Sequence, residues 1–367
     1  MTLPPALPLG FRQELAPHVF KAVAGGWSVA VVGLPGLGLS NLLRFLAEPR
    51  VAAHYLGAEA GQTLLVYVEG ERLLDAAGTA LFAGLSRQVA AAAHAHGWPR
   101  AEQAALRRLA DAPSAGALAH PAAPLAGLVD YVCGDLERRI IFICDELDAP
   151  LARLSVGTLR ELRALRDAHK YRLTFVAGLR REAAWIAAGR AQEGGAAKFA
   201  ELFDEHTFPL RPYLPDDARQ VIARKTIGWA APPSDEQQDQ LYRITGGHAK
   251  LLIASLVYLE PRLHLPWANV ARGLLAEPGI SEISRALWQA LAPADQRALW
   301  LLAREQRDAI AEAALTHVTL LGLAAGGPAF VFSSLFEAFV LGQAEPPTPA
   351  EAGPASRLRD PAATVLW

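Results

Sequence analysis

Ala30-Val31-Val32-Gly33-Leu34-Pro35-Gly36-Leu37-Gly38-Leu39-Ser40-Asn41-Leu42-Leu43 decides how the rest of the chain is read. An apolar run leads into a glycine-rich turn and then into the start of an amphipathic helix. That is the order of a phosphate-binding loop, in which glycines let successive backbone N–H groups converge on phosphate oxygens at the positive end of a helix. Of the pattern G-x-x-x-x-G-K-[S/T], Gly33, Gly38 and Ser40 are in place, and the Ser40 hydroxyl stands where such loops ligate magnesium. Leu39 occupies the lysine position, so the ammonium that would reach the outer phosphates is missing.

Working outward, Leu15, Val19, Phe20 and Val23 share one face of a helix expected over Phe11–Val23, ended by Gly25-Gly26 ahead of a strand from Ser28 to Val32. After the loop, Leu42, Leu43, Phe45 and Leu46 give the next helix a buried face, closed by Pro49. Thr63–Val68 is a short run of β-formers of the kind buried in parallel sheets. Alanine-rich helices are expected over Leu73–Ala93 and Glu102–Leu109, then a loop or insertion from Asp111 to Leu125 and a helix from Ala126 to Leu136. Ile140-Ile141-Phe142-Ile143-Cys144-Asp145-Glu146 follows as an apolar strand ending in two carboxylates. Downstream of a glycine-rich loop this is a Walker B pattern: Asp145 for the Mg²⁺ shell and Glu146 to orient and polarise a water. Ser155 is an expected N-cap for a helix to Ala168. The strand from Tyr171 to Ala177 ends at Gly178-Leu179-Arg180-Arg181, where Arg180 reads either as a sensor of the γ-phosphate or as a solvated cap.

The sheet region ends near Leu210. Asp216–Ile227 is expected to be helical, Ser234 and Gln237 form a capping box for a helix through Ile244, and Thr245-Gly246-Gly247-His248 breaks the chain before a helix from Leu251 to Leu259. Ile283–Leu291, Asp295–Arg304, Ile310–Leu321 and the Phe330-Val331-Phe332 hairpin have the order of a winged helix. From Gln343 the prolines among alanines read as a tail or linker. The fold class expected is therefore α/β, a P-loop parallel sheet with flanking helices, followed by an α-helical lid and a winged-helix domain. The boundaries are a P-loop domain over 1–210, a lid over 211–278, a winged helix over 279–342 and a Pro/Ala-rich tail over 343–367.

Composition narrows the function. The chain has 367 residues, 35 Lys and Arg against 37 Asp and Glu, and a net charge of −2, so no global field draws in nucleic acid or anionic membrane. Hydrophobic residues make up 52%, yet no run approaches the ~20 apolar residues of a membrane span. Met1–Leu9 has no basic residue ahead of its apolar positions and does not read as a secretory signal, so the expected location is cytoplasmic. The two cysteines, Cys133 and Cys144, lie in apolar elements and build neither a disulfide framework nor a metal site. Residues 311–321, where a winged helix carries its recognition helix, contain Glu312 and His317 but no Arg or Lys, which argues against DNA contact there.

With these pieces in order, residues 10–342 resemble the STAND branch of AAA+-like P-loop ATPases, signalling proteins with a helical lid and a winged helix. The resemblance rests on Gly33–Ser40, Ile140–Glu146, Leu173–Ala177 with Arg180, Phe203–Leu214 and Gly246-Gly247-His248. It implies ATP or ADP with Mg²⁺ on Gly33, Pro35, Gly36, Leu37, Gly38, Leu39, Ser40 and Asn41, with Ser40 and Asp145 on the metal and Glu146, Asp145 and Arg180 as the catalytic set. It implies a second sensor at His248 or Lys250, where relatives read Gly-Gly-His-Pro and this chain reads Gly246-Gly247-His248-Ala249. The tail Ser356–Trp367 resembles the opening strands of response-regulator-type DNA-binding domains. The function implied is a nucleotide-dependent or oligomerisation switch that acts on itself or a protein partner. Because Leu39 replaces the lysine, its ATPase is impaired; Lys250 and Arg180 are the cations available to compensate. The alternatives are an interaction scaffold that no longer binds nucleotide and a DNA-associated regulator fused to a further domain beyond Trp367.

Overall fold

The computed structural model describes residues 6–70, 79–111, 122–190, 195–325, 330–348 and 356–363. These fall into two compact units. One lies within Glu14–Val32, Leu39–Phe208 and Arg357–Trp367, the other within Met1–Gln13, Gly33–Gly38 and Pro209–Ser356.

The first unit is built on a parallel sheet. Its elements in chain order are α1 (Ala16–Ala24), β1 (Val29–Val32), α2 (Leu39–Leu46), α3 (Pro49–Leu56), β2 (Thr63–Glu69), α4 (Thr79–Ala95), α5 (Arg100–Asp111), α6 (Ala123–Val129), β3 (Arg139–Asp145), α7 (Asp148–Arg153), α8 (Val156–Ala168), β4 (Leu173–Leu179), α9 (Ala183–Ala188), α10 (Gly195–Ala200) and β5 (Thr207–Pro209). The strand order is β2-β3-β4-β1-β5. Every residue of β1 and β4 is buried, as expected of central strands covered on both faces. Glu69 pairs with Asp145, and Val31 with Gly178, so the strands end along one edge of the sheet. In open parallel sheets that C-terminal edge is where ligands are held.

Several boundaries differ from the sequence reading for identifiable reasons. The helix expected from Phe11 begins at Ala16, because Arg12 has a left-handed backbone with φ 57° and Pro17 sits in the first helical turn. Pro49 does not merely close α2 but opens α3. The helix expected over Ala126–Leu136 starts at Ala123, with Pro124 in its first turn, and loosens after Val129 into a wider turn over Asp130–Asp135. The start of the helix expected from Leu73 and much of the loop expected after Asp111 lie outside the described residues. Ser155 caps α8, its hydroxyl accepting from Thr158 N. Both cysteines are buried and unpaired by disulfide, and burial pushes each thiol up to about 12.

The tail holds a further departure. Leu358, in a tail expected to be a linker or the opening strands of a DNA-binding domain, forms a parallel bridge with Thr207 of β5, and Arg359 N donates to Thr207 O at 2.8 Å. Arg357 N donates to the buried Glu182 carboxylate. An edge strand offers unpaired backbone groups to any extended segment within reach, which linker-like composition does not reveal.

The second unit is helical: α11 (Pro215–Lys225), α12 (Asp235–Thr245), α13 (Ala249–Leu259), α14 (Trp267–Ala276), α15 (Pro278–Ala290), α16 (Pro293–Leu302), α17 (Glu312–Leu320), the hairpin β6 (Ala324–Ala325) with β7 (Phe330–Val331), and α18 (Ser334–Leu341). Ser234 and Gln237 form the expected capping box at α12. The last three helices before the hairpin, and the hairpin itself, keep the winged-helix order. Gly246 and Gly247 both have positive φ, and a Cβ on Gly247 would lie 2.2 Å from Tyr213 O, so the α12–α13 turn admits only glycine there. No helix among the described residues is long and apolar enough to cross a membrane.

Candidate functional site

β1 delivers the chain to the glycine loop and α2 receives it. Gly36 and Gly38 have φ of 83° and 87°, the backbone form that lets a loop turn its N–H groups inward. Three successive loop carbonyls are taken by donors of the same unit. Pro35 O accepts from His248 Nε2 at 3.1 Å, Gly36 O from Lys250 N at 2.9 Å, and Leu37 O from Arg12 Nη2 at 3.0 Å. His248 is wholly buried, and its Nδ1 accepts from Leu251 N at 3.3 Å as the N-cap of α13. With Nδ1 accepting, Nε2 must carry the proton it donates to Pro35. Burial, aided by the nearby Lys250 charge, pushes this imidazole down to about 4, so it is neutral near pH 7. Both ring nitrogens of His248 are thus committed within the protein, and the Lys250 side chain is exposed.

In the sheet unit, Leu39 opens α2 with its side chain half-buried toward β4. A Cβ on Gly178 would lie 3.5 Å from Leu39 Cδ2 and 2.4 Å from Leu43 Cδ1. Ser40 is half-buried and Asn41 exposed.

The acidic strand end belongs to the same unit. Asp145 is 4% exposed; its Oδ2 accepts from Tyr67 OH at 2.8 Å, while its buried Oδ1 has no hydrogen-bond partner among the described residues. Tyr67 reaches it because Tyr67 and Glu69 share a face of β2 and Glu69 lies opposite Asp145. Burial first, then the bond to Asp145, raises the Tyr67 phenol far above its ordinary value, so it remains a donor at any working pH. Glu146 adopts φ 51°, unusual for a non-glycine residue. The turn closes against β2 only because residue 70 is glycine: a Cβ there would stand 2.3 Å from Glu146 O. Arg180 Nη2 pairs with Glu146 Oε1 at 3.2 Å, both side chains about half exposed. Backbone N–H groups of Arg180 and Arg181 donate to Asp148, whose carboxyl is raised by burial against those bonds.

The structure therefore brings Asp145, Glu146 and Arg180 to one end of the sheet, and the loop, His248 and Lys250 to the other unit. Sequence reasoning did not single out Tyr67, Asp148, Gly70 or Arg12. Tyr67 left one trace, as a hydroxyl-bearing side chain set between apolar residues of β2. Replacing Tyr67 by Phe leaves Asp145 without its donor, and urea denaturation at neutral pH is expected to show a loss of about 1 kcal/mol.

No family model and no curated protein sequence matches the chain. Solved structures do. A Walker-type ATPase of Pyrococcus abyssi is similar at 12% identity, over 90% of this chain and 95% of that one, with a TM-score of 0.51. The ADP form of the Orc2 protein of Aeropyrum pernix follows at 15% identity over 93% and 97%, TM-score 0.49. Cdc6p of Pyrobaculum aerophilum follows at 14% over 92% and 95%, TM-score 0.45. What the first of these shares with this chain is the fold, a parallel α/β sheet followed by a helical C-terminal region.

Proposed function

We propose that the chain is a STAND-type regulatory P-loop protein that binds MgADP or MgATP on Gly33–Asn41 and passes the state of that loop to its lid, with hydrolysis weak or absent. The observation that carries the reading is the grip on Pro35, Gly36 and Leu37 by His248, Lys250 and Arg12. A loop tied by three consecutive carbonyls to lid and N-terminal residues cannot change shape on meeting a phosphate without those residues responding. In this reading His248 reports the loop through Pro35 O rather than by touching the γ-phosphate.

When bound, Mg²⁺ supplies positive charge that neutralises the phosphates. Ser40 and Asp145 would hold it, and the donorless, buried Asp145 Oδ1 suits a hard cation with oxygen ligands. Glu146 would orient water and Arg180 would register the γ-phosphate once released from Glu146. Weak turnover follows from Leu39, which offers no charge to the developing transition state. Residues 311–321 carry no Arg or Lys, and His317 is tied inward to Asp295 Oδ1 at 2.8 Å. We therefore assign the winged helix to packing or self-association rather than to DNA.

Leu39 lying toward Gly178, and the Arg180–Glu146 pair, favour the scaffold as the second reading. Thermal unfolding of the full chain with MgADP, MgATP or Mg²⁺ alone, together with a phosphate-release assay, separates the two. Ligand at a hundred times its dissociation constant stabilises by about 2.7 kcal/mol, a shift readily seen in thermal unfolding. Stabilisation by either nucleotide without phosphate release above background is expected. No stabilisation at millimolar nucleotide overturns the switch and leaves the scaffold.

A further inference from the structure

We propose that Arg12 and His248 are positioning residues that hold the glycine loop in its anion-binding form, the organising task that falls vacant when the loop has no lysine. The proposal rests on the reading of this loop as the nucleotide site. In a trans peptide the carbonyl of one residue and the N–H of the next point in opposite directions. Drawing the carbonyls of Pro35, Gly36 and Leu37 onto His248, Lys250 N and Arg12 therefore aims the N–H groups of Gly36, Leu37 and Gly38 away from those donors. Leu37 N turns back to Leu34 O at 3.3 Å. Gly36 and Gly38, both at positive φ, keep the outward N–H groups that an anion would take.

Arg12 is more than a strut. Its guanidinium is wholly buried, lying 4.2 Å from the centroid of the Tyr213 ring, with Nη1 on Arg211 O at 2.7 Å. Its backbone N–H is fixed on Asp217 Oδ1 at 3.0 Å. Placed on Leu37 O, the cation polarises the Leu37–Gly38 peptide and makes Gly38 N–H a stronger donor. The positive charge that the motif lacks inside the loop thus stands directly behind it. A left-handed backbone at Arg12 is costly for a residue with a side chain, and such strain persists only where the surroundings hold it. His248 holds the other end of the same arc through Pro35. The ligand class this selects is a phosphate chain held at the loop by backbone N–H groups.

Two variants test it in the full chain. Arg12→Gly removes the guanidinium and suits φ 57°. His248→Asn keeps an N-cap acceptor for α13 but is too short to reach Pro35 O. Amide relaxation of ¹⁵N-labelled protein without nucleotide is expected to give order parameters of about 0.85 at Gly36, Leu37 and Gly38 in the parent and below about 0.6 in each variant, with β1 and α13 unchanged. MgADP affinity should fall by roughly tenfold in each variant. Unchanged order parameters in His248→Asn, or a parent loop already mobile, overturn the proposal even if Arg12→Gly does not fold. If the parent binds no MgADP, the functional reading fails while the relaxation comparison still decides the bracing.

Discussion

Leu39→Lys is expected to tighten MgATP binding by roughly ten- to a hundredfold. A hydrogen bond to a charged group contributes about 1.5–3 kcal/mol, and each ~1.4 kcal/mol is a factor of ten. The fold has room for the change, because Leu39 is only half-buried at the start of α2 and a lysine can lay its stem along the ground Leu39 covers beside Gly178 while its ammonium reaches water or phosphate. Leu39→Met keeps the length without the charge and should leave the affinity unchanged. Titration calorimetry on the three proteins gives the comparison. A lysine variant that binds no more tightly than the methionine one would mean that the loop does not meet phosphates.

Acid should loosen the protein through His248 by about 3 kcal/mol. The unfolded chain protonates this histidine near the ordinary 6.5, whereas the folded chain, burying it, does so only near 4. Between those values the unfolded state holds more protons, so stability falls as pH falls; it is fully present above about 6.5 and flat again below about 4. At ~1.36 kcal/mol per unit the window amounts to roughly 3 kcal/mol. Burial also lowers His18, His96 and His206, which add slopes of the same sign. The difference between parent and His248→Asn isolates the one residue. Urea denaturation from pH 4 to 8 should show the parent's advantage shrinking toward acid; a pH-independent difference would place the imidazole in water.

Periodicity and punctuation made much of the fold legible. β1, β3 and the buried face of α2 were written in runs of apolar residues, and Ser155, Ser234 and Gln237 announced their helices through capping chemistry that acts over three residues. What escaped was chemistry between residues far apart in sequence. Tyr67 meets Asp145 across 78 positions, and Arg12 N meets Asp217 across 205. No local pattern marks such pairs. Apolar spacing correctly put Leu15, Val19, Phe20 and Val23 on one buried face, yet it carried the helix back through Arg12, whose left-handed backbone only the tertiary contacts explain. His248 was legible as an important residue at the lid's first turn. That its partner is Pro35 O follows only from the fold.

The central claim is that a loop without its lysine still binds nucleotide, because residues behind it keep its backbone in place. Calorimetric titration of MgADP into the full chain tests this most directly. Saturable binding with a dissociation constant between about 1 µM and about 1 mM is the predicted result. A thermogram that stays flat through millimolar MgADP would contradict it.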